Sequence, residues 1–441
     1  MHDVTLSEQD AKAVIVCDEA AAILPNVRAL LNYPVPVLQD GKFLVLQPGY
    51  NASTQIYVAG GSVDEPATVE DAKRVIETLL RDFHFQSPSD KARAFSAFLT
   101  PALCLGKFIS GRQPIDIIEA NASQVGKGFF AKLRALAYAE KPIILAQQSG
   151  GVGSLDESFA AALTEGKPFI ILDNLRGKLS STKLESFLTS SGPFAVRKPY
   201  AQQQYVDGAN YFLAITSNGV ETTTDLANRA SFISMEEKEG RVFRPIDGLP
   251  LDTHIERNQS KYIGAITKII RYWYESGSPK TNEARHSFSE WAQSLDWIVR
   301  NVFGLPSLLD GNDEIQARVQ NPALVFVRQV AIEVEKRNRL GQEITAQEIA
   351  NLCNNVGVEV PGVDKAVAAK NEKLESQQVG TQMGQAFGDL EEIQVQPYVV
   401  RRIEKMDRSE PGKFYPRKFY TFNKTGADPS AKHAAADDFV I

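Results

Sequence analysis

The stretch that most constrains the fold of this chain runs from Ile115 to Tyr138. It begins as an apolar run, passes through a small polar loop that ends Gly126-Lys127-Gly128, and continues as a helical pattern. This order predicts a strand, a phosphate-binding loop and a helix, in which backbone N–H groups surround a polyphosphate and Lys127 reaches the outer phosphates. The loop is degenerate, because Asn121 replaces the expected first glycine and Gly128 replaces a Ser or Thr whose hydroxyl would face magnesium.

Length and composition indicate the number of domains and the kind of compartment, but they do not identify a binding partner. A chain of 441 residues suggests roughly two to four domains. The net charge of −6 neither supports nor excludes DNA. Three widely spaced cysteines argue against a structural zinc site and against a disulfide framework. No apolar run reaches the roughly 18 residues needed to cross a bilayer, and the first residues lack the pattern of a secretory signal, so we expect a cytoplasmic protein without membrane contact.

Before the loop, the sequence predicts a small mixed unit. Residues 1 to about 35 have one helical pattern, and residues 35–61 read as a β-meander around Asp40-Gly41 and Pro48-Gly49. An amphipathic helix is expected over 67–82, capped at Thr68, and another over 88–106.

Two strands after the loop end in polar residues. The apolar run of 168–179 reaches Asp173, which would place a carboxylate at the carboxyl end of a buried parallel strand, where it can hold magnesium. The run of 211–221 ends in Thr216, Ser217 and Asn218, and Asn218 would orient an attacking water. Each pattern alone is equally typical of an ordinary strand end, the second one followed by an Asn-Gly turn.

Residues 222–235 predict a short helix that runs into another strand, with Arg229 at the junction. An arginine there, at a subunit edge, would reach the nucleotide of the neighbouring subunit. The alternative is a surface ion pair.

Together these motifs resemble the core of AAA+ ATPases, and the resemblance is closest to the MCM-like and primase-helicase-like ATPases of phages, plasmids and genomic islands. It covers about residues 85–300. The segments that carry it are 121–128, 154–159, 169–179, 213–219 and 225–233. The resemblance implies that Ser123, Gly126, Lys127 and Gly128 contact ATP and that Asp173 holds Mg²⁺. In that family a glutamate follows the strand aspartate, whereas here the next residue is Asn174; Glu157 is our candidate for the missing base, with Glu165 as the other choice.

The resemblance also implies a DNA-contacting hairpin before the strand of Asn218 and a helical lid after the core. The hairpin would lie in 191–211, where Arg197, Lys198 and Tyr200 would contact phosphates and a base. The alternative is an exposed hairpin with solvated charges. In the lid, Arg257 opens a helix predicted over 254–276 and is the candidate for a second nucleotide sensor, against the alternative of an exposed arginine at a helix end.

The C-terminal third reads as two helices followed by two strands around Glu410-Pro411-Gly412, an order that suggests a winged helix. Its strands are rich in cations and aromatic residues, and the candidates for DNA contact are Arg401, Arg402, Arg417 and Lys418. A wing can also be a subunit contact, and strand aromatics commonly belong to a core.

We therefore expect an α/β fold: an AAA+ P-loop ATPase core with a helical lid, a small N-terminal α+β domain and a C-terminal winged-helix-like domain. The expected boundaries are 1–84, 85–245, 246–340 and 341–425, with a disordered tail at 426–441. The expected function is that of an ATP-dependent helicase or replication initiator of a mobile element, a homohexameric ring on single-stranded or forked DNA with a primase as a further partner. The alternatives are a nucleotide-binding assembly protein that does not hydrolyse ATP and, less favoured by Arg229 and the basic wing, a metabolic P-loop kinase.

Overall fold

The chain alternates helices and strands around one central sheet and ends in a small antiparallel sheet. The computed structural model describes residues 7–15, 17, 19, 23–120, 125–146, 154–179, 181–190, 192–197, 203–237, 242–358, 360–361, 372–395, 397–407 and 415–425. The strands are β1 Ala29–Leu31, β2 Pro36–Gln39, β3 Lys42–Val45, β4 Gly49–Asn51, β5 Ile56–Val58, β6 Ile115–Ala120, β7 Ile143–Ala146, β8 Phe169–Leu179, β9 Phe194–Val196, β10 Gln204–Val206, β11 Phe212–Thr222, β12 Ala230–Met235, β13 Glu343–Thr345, β14 Glu392–Val395, β15 Tyr398–Asp407 and β16 Tyr415–Lys424. The helices are α1 Glu8–Ile15, α2 Val69–Leu80, α3 Pro88–Leu105, α4 Lys127–Leu136, α5 Leu155–Leu163, α6 Thr182–Thr189, α7 Thr224–Ala227, α8 Leu251–Arg257, α9 Gln259–Glu275, α10 Ser289–Asn301, α11 Asn312–Gln320, α12 Pro322–Lys336, α13 Ala346–Val356 and α14 Glu372–Phe387.

The central sheet has five parallel strands in the order β12-β6-β11-β8-β7. Strand β11 is thus inserted between β6, which precedes the Lys127 loop, and β8, which carries Asp173. Because all five strands are parallel, their carboxyl ends share one edge of the sheet, where ligands bind in open α/β sheets. The expected α/β class with a buried parallel sheet is confirmed.

Alternation along β6 divides the core into two layers. Ile118 and Ala120 face the core formed with α3, α4, α9 and α10, whereas Ile115 and Ile117 face the core formed with α5 and α6. Two carboxylates interrupt this apolar strand: Asp116 and Glu119 lie on opposite faces and are both buried. A strand buried on both faces explains why the sequence reads as a nearly continuous apolar run.

The N-terminal residues differ from the prediction of one helix followed by one meander. The described helix covers only Glu8–Ile15, and Ala29–Leu31 forms a strand that pairs in parallel with β5. The expected turn at Asp40-Gly41 is present, with both residues at positive φ between β2 and β3. The remaining strands form a separate sheet, β1-β5-β4, so the single meander was wrong. A meander joins neighbours in sequence by hairpins, whereas β1 lies beside the more distant β5.

Helices α2 and α3 begin where the sequence predicts. The Thr68 side chain accepts a hydrogen bond from the N–H of Asp71, and Ser87 caps α3 in the same way. The apolar residues between Leu31 and Phe83 join the core that contains α4, α9 and α10. The boundary at 84/85 stays a prediction.

The C-terminal sheet has the antiparallel order β13-β16-β15-β14, and helices α12, α13 and α14 share its core. The predicted pair of strands over 398–424 is confirmed, since β15 and β16 pair along ten residues each. Helix α13 begins with a reciprocal cap between Thr345 and Glu348 and ends at Gly357 in the left-handed conformation, as its sequence indicates. None of the helices in the described residues is both long enough and apolar enough to cross a bilayer.

Candidate nucleotide site

The site begins at the junction between the loop after β6 and helix α4. Gly126 has φ of 92°, a left-handed conformation that favours glycine, and helix α4 starts at the next residue, Lys127. The first N–H groups of a helix lack intrahelical acceptors and carry the positive end of the helix dipole, so this terminus favours an anion. Ser123 lies outside the described residues.

Lys127 contacts strand β11 at Asn218, just beyond the last residue of β11 that pairs with β6, whereas β11 itself continues to Thr222. Its Nζ donates a hydrogen bond to Oδ1 of Asn218 at 2.6 Å. Burial lowers the pKa of Lys127 to about 8, and the nearby carboxylates of Glu119 and Asp173 oppose this shift. The insertion of β11 beside β6 therefore brings together the two residues that the sequence placed at separate strand ends.

Asp173 is linked to the same strand by a hydrogen bond with Thr216. The prediction that Asp173 ends its strand was wrong, because β8 continues beside β11 to Leu179. Oγ1 of Thr216 donates to Oδ1 of Asp173 at 2.6 Å and accepts from the backbone N–H of Asn174 at 2.8 Å. A Cβ atom at Gly128 would lie 3.5 Å from the same Asp173 oxygen. The helix that follows the loop, strand β8 and strand β11 thus converge on one carboxylate. The sequence pointed to Thr216 only as part of a polar strand end.

Asn174, where the family resemblance leads us to expect a glutamate, has a backbone role. Its φ is 54°, and the pairing of β8 with β11 shifts register here, between Ile215 and Ser217. Asparagine adopts this left-handed conformation more readily than glutamate does. The side chains of Asp173 and Asn174 are both exposed.

A buried carboxylate and an arginine lie behind the lysine, and neither was predicted as a site residue. Glu119 is fully buried; Oγ of Ser234 donates to it at 3.2 Å, and a guanidinium nitrogen of Arg328 lies 3.9 Å from its other oxygen. Arg328 belongs to helix α12 and would lie 4.0 Å from a Cβ atom at Gly219, the residue after Asn218. A charged residue inside an apolar strand was a sequence signal that could have identified Glu119. No pattern in the sequence pointed to Arg328.

The other predicted catalytic residues lie in different places. Glu157 is in the first turn of α5, which Ser154 caps, and α5 packs beside β7 at the edge of the sheet. Arg229 precedes β12 at the amino edge: its carbonyl accepts from the N–H of Ile115, roughly 20 Å of strand from the Lys127 loop, and its side chain pairs with Asp225. The ion pair that we weighed for Arg229 is therefore present, and Arg229 lies away from the Lys127 loop of its own chain.

Arg257 does not open a helix as predicted. The pattern over 254–276 is divided at Asn258 into α8 and α9, and Arg257 is the exposed last residue of α8, which packs against α4. Its role as a nucleotide sensor stays a prediction.

The predicted hairpin before β11 is present as β9 and β10, which pair antiparallel. Arg197 follows β9 and is exposed, whereas Lys198 and Tyr200 lie outside the described residues. Tyr205 pairs with Ala195 on the outward face and is 68% exposed, while the opposite face packs through Phe194 onto Phe187. Tyr205 is an aromatic candidate that the sequence reading did not select.

The cations of the C-terminal sheet already have intramolecular contacts. Arg401 pairs with Glu392 at 2.5 Å, and Lys418 lies 3.5 Å from Glu404. Arg402 lies over the ring of Phe387, and Arg417 over the ring of Phe419. Of the strand aromatics, Tyr398 and Tyr420 are buried in the core, as the alternative stated above expects.

Asp173 is the candidate protein ligand for Mg²⁺ in this site. Within the described ranges, no group of three or more His, Cys, Asp or Glu side chains could hold a metal ion. Mg²⁺ at a nucleotide commonly uses only one or two protein carboxylates, with phosphates and waters as the other ligands. Asp173, exposed beside the start of α4, fits that requirement.

Comparisons with known proteins give structural similarity only. No protein family profile matches the sequence, and no curated protein matches it. Among solved structures, the chain is similar to the active helicase Cch of SCCmec type IV, with 12% identity and a TM-score of 0.32 over 96% of this chain and 84% of that one. It is also similar to the A-form apo structure of the NrS-1 C-terminal region, with 12% identity and a TM-score of 0.31 over 78% of each chain.

Proposed function

We propose that this chain binds ATP with Mg²⁺ and hydrolyses it to act on DNA, as a helicase or replication initiator of a mobile element that works as a homohexameric ring. The observation that carries the proposal is the convergence of Lys127, Asp173 and Asn218, through Thr216, at the carboxyl edge of a five-stranded parallel sheet. A cationic helix terminus beside a carboxylate and an amide suits the binding of a nucleoside triphosphate.

In the proposed mechanism the phosphates bind at the amino end of α4. Lys127 leaves Asn218 for the β- and γ-phosphates, which frees the amide of Asn218 to orient a water for attack in line. Mg²⁺, held through Asp173, would neutralise charge on the phosphates. Thr216 fixes the orientation of Asp173 by its hydrogen bond. Glu157 remains the candidate base, and Arg229 would act on the nucleotide of the adjacent subunit.

DNA contact is assigned to the hairpin and to the C-terminal sheet. Arg197, with Lys198, would neutralise phosphates, while Tyr200 and the exposed Tyr205 would stack on bases. Arg401, Arg402, Arg417 and Lys418 would add contacts only by exchanging their intramolecular partners for phosphates. We therefore give the hairpin the larger share, and Tyr205→Ala should weaken binding of single-stranded DNA more than Lys418→Ala does.

The test of this function is ATP turnover with and without single-stranded DNA. Lys127→Ala should abolish nucleotide binding, because it removes the cation at the phosphates. Lys132→Ala is the matched control: this exposed lysine lies on the same helix and should leave binding and turnover unchanged. Tight ATP binding by Lys127→Ala would refute the site.

A second candidate function rests on Gly128 and Asn174. With no hydroxyl at 128 and no glutamate after Asp173, the site could hold nucleotide only to order an oligomer on DNA. Binding of ATP and ring formation without turnover, in the presence of DNA, would select this function over the first.

A further inference from the structure

The hairpin of β9 and β10 is joined to the rest of the molecule at both of its ends. The chain enters it through Ser190 and Gly192 and leaves it through Gly208, Asn210 and Tyr211, which precede β11. This exit lies at the amino edge of the central sheet, because β11 runs parallel to β6 from there. Lys127 and its partner Asn218 lie at the opposite edge, roughly 20 Å further along β11.

The hairpin is too short to hold its own position. In the described residues three pairs join β9 to β10, and an isolated two-stranded hairpin is at best marginally stable in water. Phe194 packs one face of the hairpin onto Phe187, whereas Tyr205 on the other face is exposed. The direction in which Tyr205 points therefore depends on how the two ends of the hairpin are held.

Arg112, just before β6, contacts both ends. Its Nε donates a hydrogen bond to the carbonyl of Ser190 at 2.7 Å, and its Nη2 donates to the carbonyl of Gly192 at 3.0 Å. On the exit side the guanidinium approaches Gly208 so closely that a Cβ atom there would clash with Nη1. Only a glycine at position 208 therefore leaves room for Arg112 between the two ends.

Two further side chains hold the exit. Gln113 is buried, and its Nε2 donates to the carbonyl of Tyr211 at 2.6 Å and to that of Gly208 at 3.3 Å. Arg28, just before β1, donates to Oδ1 of Asn210 at 2.9 Å, and Nδ2 of Asn210 donates to the carbonyl of Arg28 at 3.2 Å. The exit is thus held from two sides, whereas the contacts of Arg112 also reach the entry.

Arg112 binds the entry carbonyls as a charged donor. Burial lowers its pKa and Asp207 opposes this shift, but a guanidinium keeps its charge in proteins. Its donors lie in one rigid plane, so two carbonyls that it binds together are held in a defined position relative to each other. The ammonium of a lysine is a point charge on a flexible stem and cannot hold both carbonyls in this way.

We propose that Arg112 is a positioning residue for the binding of single-stranded DNA: it fixes the hairpin so that Arg197 and Tyr205 face the strand. The inference rests on the DNA contact proposed above for the hairpin. Arg112 is not itself assigned to DNA, because its Nε and Nη2 bind the carbonyls of Ser190 and Gly192. A hairpin without this support has to be ordered when DNA binds, and that ordering weakens binding.

Hydrogen exchange of the full chain tests the position of the hairpin without DNA or nucleotide. Arg112→Ala should speed the exchange of the amides that pair β9 with β10 roughly tenfold, while β6 keeps its protection. Arg74→Ala removes an exposed arginine of α2, whose ion-pair partner is Asp71, and is the matched control with no expected change. Unchanged exchange in the hairpin of Arg112→Ala would overturn the proposal.

Fluorescence anisotropy with a labelled single-stranded oligonucleotide tests the effect on DNA. Arg112→Ala should weaken DNA binding roughly tenfold and leave the affinity for ATP unchanged, because the nucleotide site lies at the other edge of the sheet. Arg112→Lys should also bind DNA weakly, whereas a direct contact between residue 112 and a phosphate would tolerate lysine. Wild-type affinity in either variant would overturn the proposal.

A double-mutant cycle shows whether Arg112 acts through the hairpin. In a protein that already carries Tyr205→Ala, adding Arg112→Ala should weaken DNA binding less than it does alone, and fully additive losses would contradict the proposal. Gly208→Ala displaces Arg112 without removing its charge, so it should reproduce both changes and supplies the test if Arg112→Ala fails to fold. If the wild-type chain binds no DNA, the proposed function of the hairpin fails, and hydrogen exchange still decides whether Arg112 holds it.

Discussion

Two buried carboxylates on strand β6 face arginines from different helices, and the two pairs are held differently. At the amino end, Asp116 contacts Arg134 of α4 directly, and Arg134 also donates to the carbonyl of Phe212 at 3.2 Å. At the carboxyl end, Glu119 and Arg328 of α12 approach only to 3.9 Å. All four side chains are almost completely buried.

We infer from this difference that the Asp116–Arg134 pair is structural, whereas a ligand bound at Lys127 would affect the Glu119–Arg328 pair. The Asp116 pair fixes α4 on the sheet, although burial still raises the pKa of Asp116 to about 6 against the opposing effect of Arg134. The Glu119 pair is longer than a hydrogen bond and lies beside Lys127 and the residue after Asn218. A phosphate at Lys127 would change its electrostatic environment directly, whereas it would not reach Asp116 at the other end of the strand.

The largest expected effect concerns the structural pair. Arg134→Leu should lower the free energy of unfolding by about 3–5 kcal/mol, because it leaves the carboxylate of Asp116 buried without its cation. Urea unfolding followed by circular dichroism measures this. Adding Asp116→Leu should recover part of the loss, and Lys132→Ala should change stability by less than about 0.5 kcal/mol. A loss below that of Lys132→Ala would mean that the pair does not hold α4.

A third buried carboxylate, without an arginine, extends the comparison. Burial raises the pKa of Glu140 to about 7, opposed by its hydrogen bonds from Asn32 and by Lys167. The protonated form of Glu140 is therefore favoured in the folded state. The contribution of Glu140 to the free energy of unfolding is complete below pH 4.5 and is lost as the pH rises through 7. The free energy of unfolding of Glu140→Gln, measured relative to that of the wild type, should increase by about 1–3 kcal/mol from pH 4 to pH 8. Urea unfolding at both values tests this, and a pH-independent difference would contradict it.

A smaller effect, on nucleotide binding, is expected from the Glu119–Arg328 pair. Arg328→Gln should weaken ATP binding about tenfold, or about 1.4 kcal/mol, because it removes a cation beside the proposed phosphate site. Arg328→Lys should keep most of the affinity. Fluorescence titration with a labelled nucleotide, at a temperature where both variants are folded, gives the values. Equal affinity for Arg328→Gln and wild type would show that the pair is structural, like that of Asp116.

The smallest effect is expected at Gly128. Because a Cβ atom there would lie 3.5 Å from Oδ1 of Asp173, an ordinary contact distance, Gly128→Ser fits and would place a hydroxyl beside the proposed magnesium site. The Mg²⁺ concentration required for half-maximal nucleotide binding should fall roughly threefold, about the effect of one added hydrogen bond. Gly128→Ala is the matched control without the hydroxyl. If the serine and alanine variants behave alike, Asp173 does not hold the metal at this position.

The sequence was sufficient to select Lys127, Asp173 and Asn218 as candidate site residues, because a glycine loop or the end of an apolar run is encoded by adjacent residues. It was less informative about the residues that the fold places beside them. Thr216 was visible only as part of a polar strand end, and Tyr205 was not selected, because exposure depends on which face of the hairpin packs. The N-terminal strands were misassigned for a related reason: alternation of apolar residues predicts strands but not which of them pair.

By itself the sequence determined where the buried strands of the central sheet lie and which polar residues follow their apolar runs, because periodicity and turn residues act over a few positions. It did not show that β8 and β11 continue past Asp173 and Asn218, to Leu179 and Thr222. The tertiary structure decided that β11 lies between β6 and β8, which brings Lys127 into contact with Asn218. It also placed Arg328 of helix α12 near Glu119 and paired Arg401 of the C-terminal sheet with Glu392. Such contacts join residues far apart in the chain, and they depend on how whole faces pack rather than on any local pattern.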